Sequence, residues 1–372
     1  MSCIYYGNQE GLTYNKREHV FPASLGCKTM LPKGWVSDQA NELFSPMEEI
    51  LTRRSLISTE RALFGPGKRG SLTTKNAAQS DVCVGIDEKG DRVLSYMALG
   101  TPYNISHFCR GAKQYRICLA VKDMPDAASK FISILNQFGE QTKYVTLTSQ
   151  DISPDEVLVG YHKGKYYIAF HPSKKDCYHI EKEIKVFLSY SDAVLNVNSM
   201  REEQTHVKMG FQLQETPETS RMCAKILLNA TAYLYGKEFA ERPEFDEVRA
   251  WILHGNHSEK FCRLPSAVEE AEVLHKIVPE KSHWCQFGMV QNQFVGVLCL
   301  YGFWQWVIPL AHFDEPPIHE ANAFICDWKD QKDYKLLDYI LERQGLGAKI
   351  YKQLSYNHTL NVVRRKASKW MF

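Results

Sequence analysis

Apolar residues recur at helical spacing in some segments and alternate with polar residues in others. The helical stripes predict helices over residues 38–57, 126–138, 219–235, 244–253 and 332–343. Alternating or continuous apolar runs bounded by turn residues predict strands over 82–86, 92–97, 116–121, 157–161, 166–171, 205–212, 284–290, 294–301 and 304–310. The pattern therefore predicts an α+β protein in which antiparallel strands dominate the sheets.

A Gly-Pro-Gly-Lys-Arg-Gly run over residues 65–70 breaks the regular pattern. It predicts either a domain boundary or a basic loop at the edge of the first unit. A length of 372 residues favours two domains. We expect a turn-rich unit over residues 1–75 and a larger mixed α/β domain with antiparallel strands over 76–372.

The composition is that of a globular protein, with 44% hydrophobic and 24% charged residues. A net charge of +2 argues against nucleic-acid binding by the whole surface. The C-terminal end from Arg343 to Phe372, however, carries seven Lys or Arg and no acidic residue. This basic tail predicts either phosphate contacts or a segment docked through its apolar residues, and the sequence favours neither.

The eleven cysteines are scattered singly, and no Cys-x-x-Cys pair occurs. This pattern is typical of reduced thiols and not of a secreted disulfide framework. The N-terminal sequence lacks the pattern of a signal peptide, and no apolar run is long enough to cross a membrane. We therefore expect a cytoplasmic protein without a membrane partner.

One stretch carries candidate chemistry: Glu-His-Val-Phe-Pro-Ala-Ser-Leu-Gly-Cys-Lys over residues 18–28, followed by Val-Ser-Asp-Gln-Ala-Asn over 36–41. It resembles the HNH endonuclease superfamily, in particular the bacterial branch with Glu-His-(Ile/Val)-x-Pro-x-Ser-Leu-Gly-Gly-Lys and then Val-Cys-x-x-Cys-Asn. The resemblance covers about the first 70 residues. Residues 224–229 and 243–249 are also similar to the region that follows the module in such proteins.

The resemblance implies an N-terminal ββα-metal (HNH) module that hydrolyses phosphodiester bonds in DNA. It assigns His19 as the general base, and Glu18 and Asn41 as ligands of one Mg²⁺ or Mn²⁺ ion. Oxygen ligands of this kind suit these cations. The implied setting is phage defence or a mobile element.

Three departures from the family pattern weaken these implications. The structural zinc of the family uses two Cys-x-x-Cys pairs, whose positions here hold Cys3, Tyr6, Ser37 and Ala40. Three missing thiolates predict that this zinc is lost and that apolar packing replaces it, for which the candidates are Tyr5, Tyr6, Phe21, Trp35 and Phe44. The middle asparagine of the signature is absent as well, which implies reduced activity, and Cys27 replaces the second glycine of the loop.

Basic residues near the motif and in the tail are candidates for DNA binding because Lys and Arg supply sequence-independent phosphate contacts. The candidates are Arg53, Arg54, Arg61, Lys68, Arg69, Arg364, Arg365 and Lys366. The alternative function is a catalytically weak HNH scaffold that serves as a nucleic-acid-binding or ligand-sensing module of a defence system. A homo-oligomer, a defence-system partner and a small signalling ligand stay open.

Overall fold

The computed structural model describes residues 1–67, 70–73, 76–111, 115–120, 126–139, 141–174, 180–194, 206–209, 215–256, 258–268, 273–317 and 322–344. The chain is an α+β protein whose sheets are almost wholly antiparallel. It splits into two compact units: Met1–Ala78 together with Leu213–Phe372, and Gln79–Gln212. We call them the first and second units.

The helices of the described residues are α1 Asp38–Arg53, α2 Leu56–Phe64, α3 Ala127–Asn136, α4 Ile180–Val194, α5 Pro217–Tyr235, α6 Lys237–Ala240, α7 Asp246–His254, α8 Ser258–Phe261, α9 Val273–Ile277 and α10 Leu336–Tyr339. The strands are β1 Cys83–Asp87, β2 Arg92–Ala98, β3 Thr101–Asn104, β4 His107–Arg110, β5 Tyr115–Cys118, β6 Tyr144–Thr148, β7 Val157–His162, β8 Lys165–Phe170, β9 Val207–Met209, β10 Ser266–Ala267, β11 His283–Val290, β12 Gln293–Leu300, β13 Trp304–His312, β14 Asn322–Asp327 and β15 Lys332–Lys335.

The first unit is built around a six-stranded antiparallel sheet of order β10-β13-β12-β11-β14-β15. Helix α5 packs on β12, β13 and β14, and it also contacts α1, α6, α7 and α8. Nearly every side chain of α5 from Thr219 to Ala232 is buried, because the helix lies between the sheet and the N-terminal segment. The apolar packing predicted for Tyr5, Tyr6, Phe21, Trp35 and Phe44 is confirmed, since all five belong to this core or pack against it.

The second unit contains two sheets. One has four antiparallel strands in the order β3-β2-β1-β9, and the other has five strands in the order β5-β4-β7-β8-β6. Only the pair of β6 and β8 is parallel among the described strands. Helices α3 and α4 pack together, and Phe131 of α3 belongs to the same apolar cluster as Phe108 and Ile168 of the five-stranded sheet.

The two units differ from the predicted division into residues 1–75 and 76–372. A change of unit does occur near the predicted boundary, between Ala78 and Gln79. The chain then returns to the first unit, because α5 and the large sheet bury their apolar faces against the N-terminal segment. Apolar periodicity shows that a face is buried, but it does not identify the partner.

Most predicted helices and strands are confirmed within a few residues, including the meander of β11, β12 and β13 and the long helix α5. The helix predicted over 38–57 begins at Asp38 but ends at Arg53. Ser55 starts a new helix there, because its hydroxyl accepts a hydrogen bond from the Ile57 N–H as an N-cap.

The helix predicted over 332–343 is wrong at its start. Residues Lys332–Lys335 form strand β15, which pairs with β14, and helical structure begins only at Leu336. Cross-strand pairing outweighs local helix propensity at this position. The basic tail beyond residue 344 lies outside the described residues, so its docking stays a prediction.

No helix among the described residues has the length and apolar character that crossing a membrane requires. None of the ten cysteines in the described part of the chain forms a disulfide.

Candidate functional site

The Glu-His motif lies in a short antiparallel pair of extended segments. The Val20 N–H donates to the Thr29 carbonyl at 3.0 Å, and the Leu31 N–H donates to the Glu18 carbonyl at 2.7 Å. His19 is opposite Met30 in this pairing. The segments are followed by α1, so the chain passes from one extended segment to another and then into a helix.

The loop that joins the two segments turns at Gly26, which has a φ of +94°. A Cβ atom at this position would lie 2.5 Å from the Trp328 Cβ and 3.2 Å from the Pro66 Cγ. The loop is therefore packed against the end of β14 and the segment after α2, with no room for a side chain. Only glycine meets both requirements without strain.

We expect Gly26→Ala to lower the free energy of unfolding by about 2 kcal/mol, because a strained φ alone costs about 1–3 kcal/mol and the clash adds to it. Urea unfolding followed by circular dichroism measures the change. The matched control is Gly90→Ala, which has a similar φ of +81° but open space around it. Equal losses in the two variants would show that the contact with Trp328 contributes nothing.

The N-terminal turn lies against the start of α1. Cys3 and Gly7 exchange two backbone hydrogen bonds of 2.7 Å, and the Ser37 N–H donates to the Cys3 Sγ at 3.4 Å. The Ser37 hydroxyl in turn accepts from the Ala40 N–H and caps α1. The structure therefore brings together Cys3 and Ser37, one from each of the positions that resemble the zinc-binding pairs. Loss of the zinc stays a prediction.

Asp38, the first residue of α1, fastens the loop that precedes the motif. Its carboxylate accepts hydrogen bonds from the N–H groups of Asn15 and Lys16, each at 2.9 Å, and from the Thr13 hydroxyl at 2.7 Å. These hydrogen bonds, led by that of the Asn15 N–H, lower the pKa of Asp38 to about 2. The carboxylate therefore stays ionised and keeps residues 13–16 next to the helix.

Glu18 forms a buried ion pair with Lys225 of α5. The Lys225 side chain is only 1% exposed, and that of Glu18 is 15% exposed. The Lys225 Nζ also lies 5.6 Å from the centre of the Phe44 ring on α1. The ammonium contacts Oε1 of Glu18, whereas Oε2 makes no hydrogen bond within the described part of the chain. One carboxylate oxygen of Glu18 therefore contacts the Lys225 ammonium, and the other is available to a further ligand.

Asn229, one turn after Lys225 on α5, holds the main chain of the motif. Its Nδ2 donates to the His19 carbonyl at 2.9 Å, and its Oδ1 accepts from the Tyr5 hydroxyl at 2.7 Å. The Tyr5 ring packs edge-on against Phe44, with 4.7 Å between the ring centres. A chain of three buried contacts therefore fixes the position of His19 relative to α1 and α5.

The His19 side chain is half-buried, and its ring nitrogens make no hydrogen bond to any of the residues that the structure describes. Burial lowers the pKa of His19, and the positive charge of Lys225 acts in the same direction. The carboxylates of Glu18, Glu48 and Asp333 oppose this shift. The imidazole is therefore neutral at neutral pH and can accept a proton.

Asn41 lies in the first turn of α1, on the same face as Phe44 and Glu48, which follow it at spacings of three and seven residues. The Glu48 carboxylate accepts a hydrogen bond of 2.6 Å from the Ser24 hydroxyl of the motif loop. The Asn41 Oδ1 is buried and has no hydrogen-bond partner among the described residues. A buried oxygen without a partner is costly, so this oxygen is a candidate to bind a water molecule or a cation.

The comparisons with known proteins add no relative to this description. No family model, no curated protein and no solved structure matches the chain.

The residues that sequence analysis missed are Lys225 and Asn229. They are polar residues four positions apart in a helix that is otherwise buried and mostly apolar. That pattern is itself a signal, because buried polar side chains need partners. The segment was similar to the region after the HNH module, but the similarity assigned these two residues no role.

The predicted DNA-binding residues differ in their exposure to solvent. Arg61 is buried, and its guanidinium donates to the carbonyl groups of Ser24 and Pro66, each at 3.0 Å. It holds the motif loop to α2 and is not presented to solvent, so we remove it from the DNA-binding set. Arg53 and Arg54 are exposed, and Arg53 pairs with Glu49 at 3.0 Å. The remaining candidates lie outside the described residues: Lys68, Arg69, Arg364, Arg365 and Lys366.

Proposed function

We propose that the chain is a metal-dependent HNH-type nuclease that hydrolyses phosphodiester bonds in DNA. The observation that carries the proposal concerns Asn41, on the helix that follows the paired segments bearing Glu18 and His19. Its Oδ1 is buried and has no hydrogen-bond partner among the described residues. The order of extended segment, extended segment and helix is that of a ββα-metal module. The motif residues and this local geometry support the proposal independently.

The donor set fits a hard divalent cation. Asn41 offers an amide oxygen without a partner, and Glu18 offers the Oε2 that Lys225 does not contact. Mg²⁺ and Mn²⁺ prefer such oxygen ligands and commonly use one or two side chains together with water and substrate phosphate. A bound cation of this kind would supply a positive charge beside the phosphate during the reaction.

The chain's own residues supply the base and its support. The neutral imidazole of His19 can take a proton from a water molecule that attacks the phosphorus. Asn229 is a positioning residue, because it binds the His19 carbonyl and not the ring. Lys225 is a positioning residue for Glu18, since its ammonium fixes one of the two carboxylate oxygens. In this proposal, Asn229 contributes orientation that the absent middle asparagine would otherwise provide.

We expect the purified protein to cleave plasmid, linear or single-stranded DNA with Mg²⁺ or Mn²⁺ and to be inactive in a chelator. Asn41→Ala should raise the Mn²⁺ concentration needed for half-maximal cleavage by at least 10-fold, because one ligand is lost. The matched control is Glu42→Gln, an exposed position next to it on α1, which should leave the requirement unchanged. Cleavage that persists in a chelator, or an Asn41→Ala variant with the normal requirement, would contradict the proposal.

A second candidate function is DNA binding by a catalytically weak scaffold. It is favoured by one observation: the positive charge of Lys225 lies next to the Glu18 carboxylate, so this carboxylate attracts a metal cation less strongly. Electrophoretic mobility shifts separate the two functions. A binding module shifts the mobility of DNA in Mg²⁺ without cutting it. In that case Asn41→Ala leaves the mobility shift unchanged.

A further inference from the structure

A second group of potential ligands lies outside the Glu18, His19 and Asn41 site. Cys27, Cys326 and Asp333 each place one ligand atom within 4.8 Å of the other two. Cys326 on β14 and Asp333 on β15 are directly opposite each other in the strand register. Cys27 reaches them from the motif loop, with 3.4 Å between its Sγ and the Asp333 Oδ2.

The Asp333 carboxylate is held rigidly but is only partly satisfied. Its Oδ2 accepts hydrogen bonds from the N–H groups of Lys28 at 2.8 Å and Thr29 at 2.6 Å and from the Cys27 thiol at 3.4 Å. Its Oδ1 is buried and has no hydrogen-bond partner, and no Lys or Arg side chain pairs with this carboxylate in the described ranges. Two buried thiols therefore lie beside a carboxylate oxygen that has no hydrogen-bond partner among the described residues.

We propose that Cys27, Cys326 and Asp333 form a site for a thiophilic divalent cation, with Zn²⁺ as the expected ion. Two sulfur ligands and one oxygen ligand suit zinc, whose fourth position can be taken by water. Zn–S and Zn–O bonds of about 2.3 and 2.0 Å give a tetrahedral edge of about 3.5 Å, and the ligand atoms of the three residues lie within 4.8 Å of one another. Binding releases both thiol protons to solvent.

The backbone donors complete the arrangement. They orient the carboxylate through Oδ2 and leave Oδ1 for the cation, as hydrogen-bond partners of metal ligands do elsewhere. The cation would join the motif loop to the β14–β15 hairpin, where Phe21 and Phe324 also pack at 5.4 Å between ring centres. The site is separate from the Cys3 and Ser37 positions, and it does not depend on nuclease activity.

The experiment begins with the full chain, reduced and freed of metal by a chelator. Equilibrium dialysis against Zn²⁺ with elemental analysis gives stoichiometry and affinity, and Co²⁺ gives a sulfur-to-cobalt absorption band. We expect one tight Zn²⁺ per chain. Cys27→Ser and Asp333→Asn should each weaken it more than about 100-fold, because losing a mere hydrogen-bond partner of a ligand costs about 10–100-fold. The cobalt absorption band should lose intensity in Cys27→Ser, because one of the two thiolate ligands is removed.

The matched control is Cys299→Ser, a buried strand cysteine in the separate core cluster around Trp284, which should bind as wild type does. Thermal unfolding in chelator establishes that each variant is folded. If a Cys326→Ser variant fails to fold, Cys27→Ser still tests the proposal, because Cys27 lies in a loop. The proposal is overturned by wild-type zinc affinity in Cys27→Ser, by folded wild-type protein that binds no zinc, or by a Co²⁺ complex without the sulfur band. A Cys27–Cys326 disulfide that forms in the presence of Zn²⁺ also overturns it.

Discussion

Replacement of His19 by alanine is expected to lower the rate of DNA cleavage by about 10²–10⁴-fold, the usual contribution of a general base. Folding and DNA binding should change little. The ring makes no hydrogen bond to any described residue, and the contact that fixes this residue, from Asn229, is to its carbonyl group. The substitution therefore removes the proton acceptor and leaves the main-chain geometry intact.

Single-turnover cleavage with saturating Mg²⁺ measures this loss directly, since product release then has no influence. His312→Ala is the matched control, because His312 is exposed at the end of β13 in the same unit. It should cut DNA at the wild-type rate. A His19→Ala variant with more than a tenth of the wild-type rate would rule out the imidazole as the base. Equal fluorescence-anisotropy affinities for uncut DNA would show that binding is unaffected.

Local sequence signals predicted much of the fold. Helix α5 was visible from its apolar stripe, and the strands β11, β12 and β13 were visible from apolar runs separated by short turns. The start of α1 at Asp38 was also predicted. These features depend on neighbours in sequence, so periodicity and turn residues are sufficient to detect them.

Strand β15 was missed because its structure depends on β14. The segment from Lys332 continues into residues with good helix propensity, yet Lys332 and Asp333 pair with Asp327 and Cys326. Pairing contributes hydrogen bonds that propensity does not include. Because residues 332–335 were predicted to be helical, the candidate zinc site was missed as well. Asp333 contacts Cys27 from the extended strand β15.

The candidate nuclease site was predictable in part. Glu18, His19 and Asn41 follow from a motif in one short stretch of chain. Their supports come from 207 and 210 residues away, where Lys225 pairs with Glu18 and Asn229 binds the His19 carbonyl. No local pattern identifies partners at such a separation. The sequence could only have shown that two polar residues on a buried helix face need partners of some kind.

The ion pair between Glu18 and Lys225 leads to the second large effect. We expect Lys225→Met, which preserves side-chain length, to lower the free energy of unfolding by about 3 kcal/mol. The lysine is almost fully buried, so its removal leaves the Glu18 carboxylate with little solvent and no countercharge. This value is the lower end of the usual range for broken buried pairs, because Glu18 keeps some contact with water.

Urea unfolding of a double-variant cycle separates the pair from the rest of the packing. Glu18→Gln combined with Lys225→Met should recover more than half of the loss, because no uncompensated charge then stays buried. The control is Lys260→Met, whose partner Glu247 is about as exposed as the lysine itself, so the loss should be below about 1 kcal/mol. A loss in Lys225→Met no larger than in this control would refute the stabilising role of the ion pair. If the double variant were as unstable as the single one, the loss would come from the packing of Lys225 against Phe44 and not from an unpaired charge.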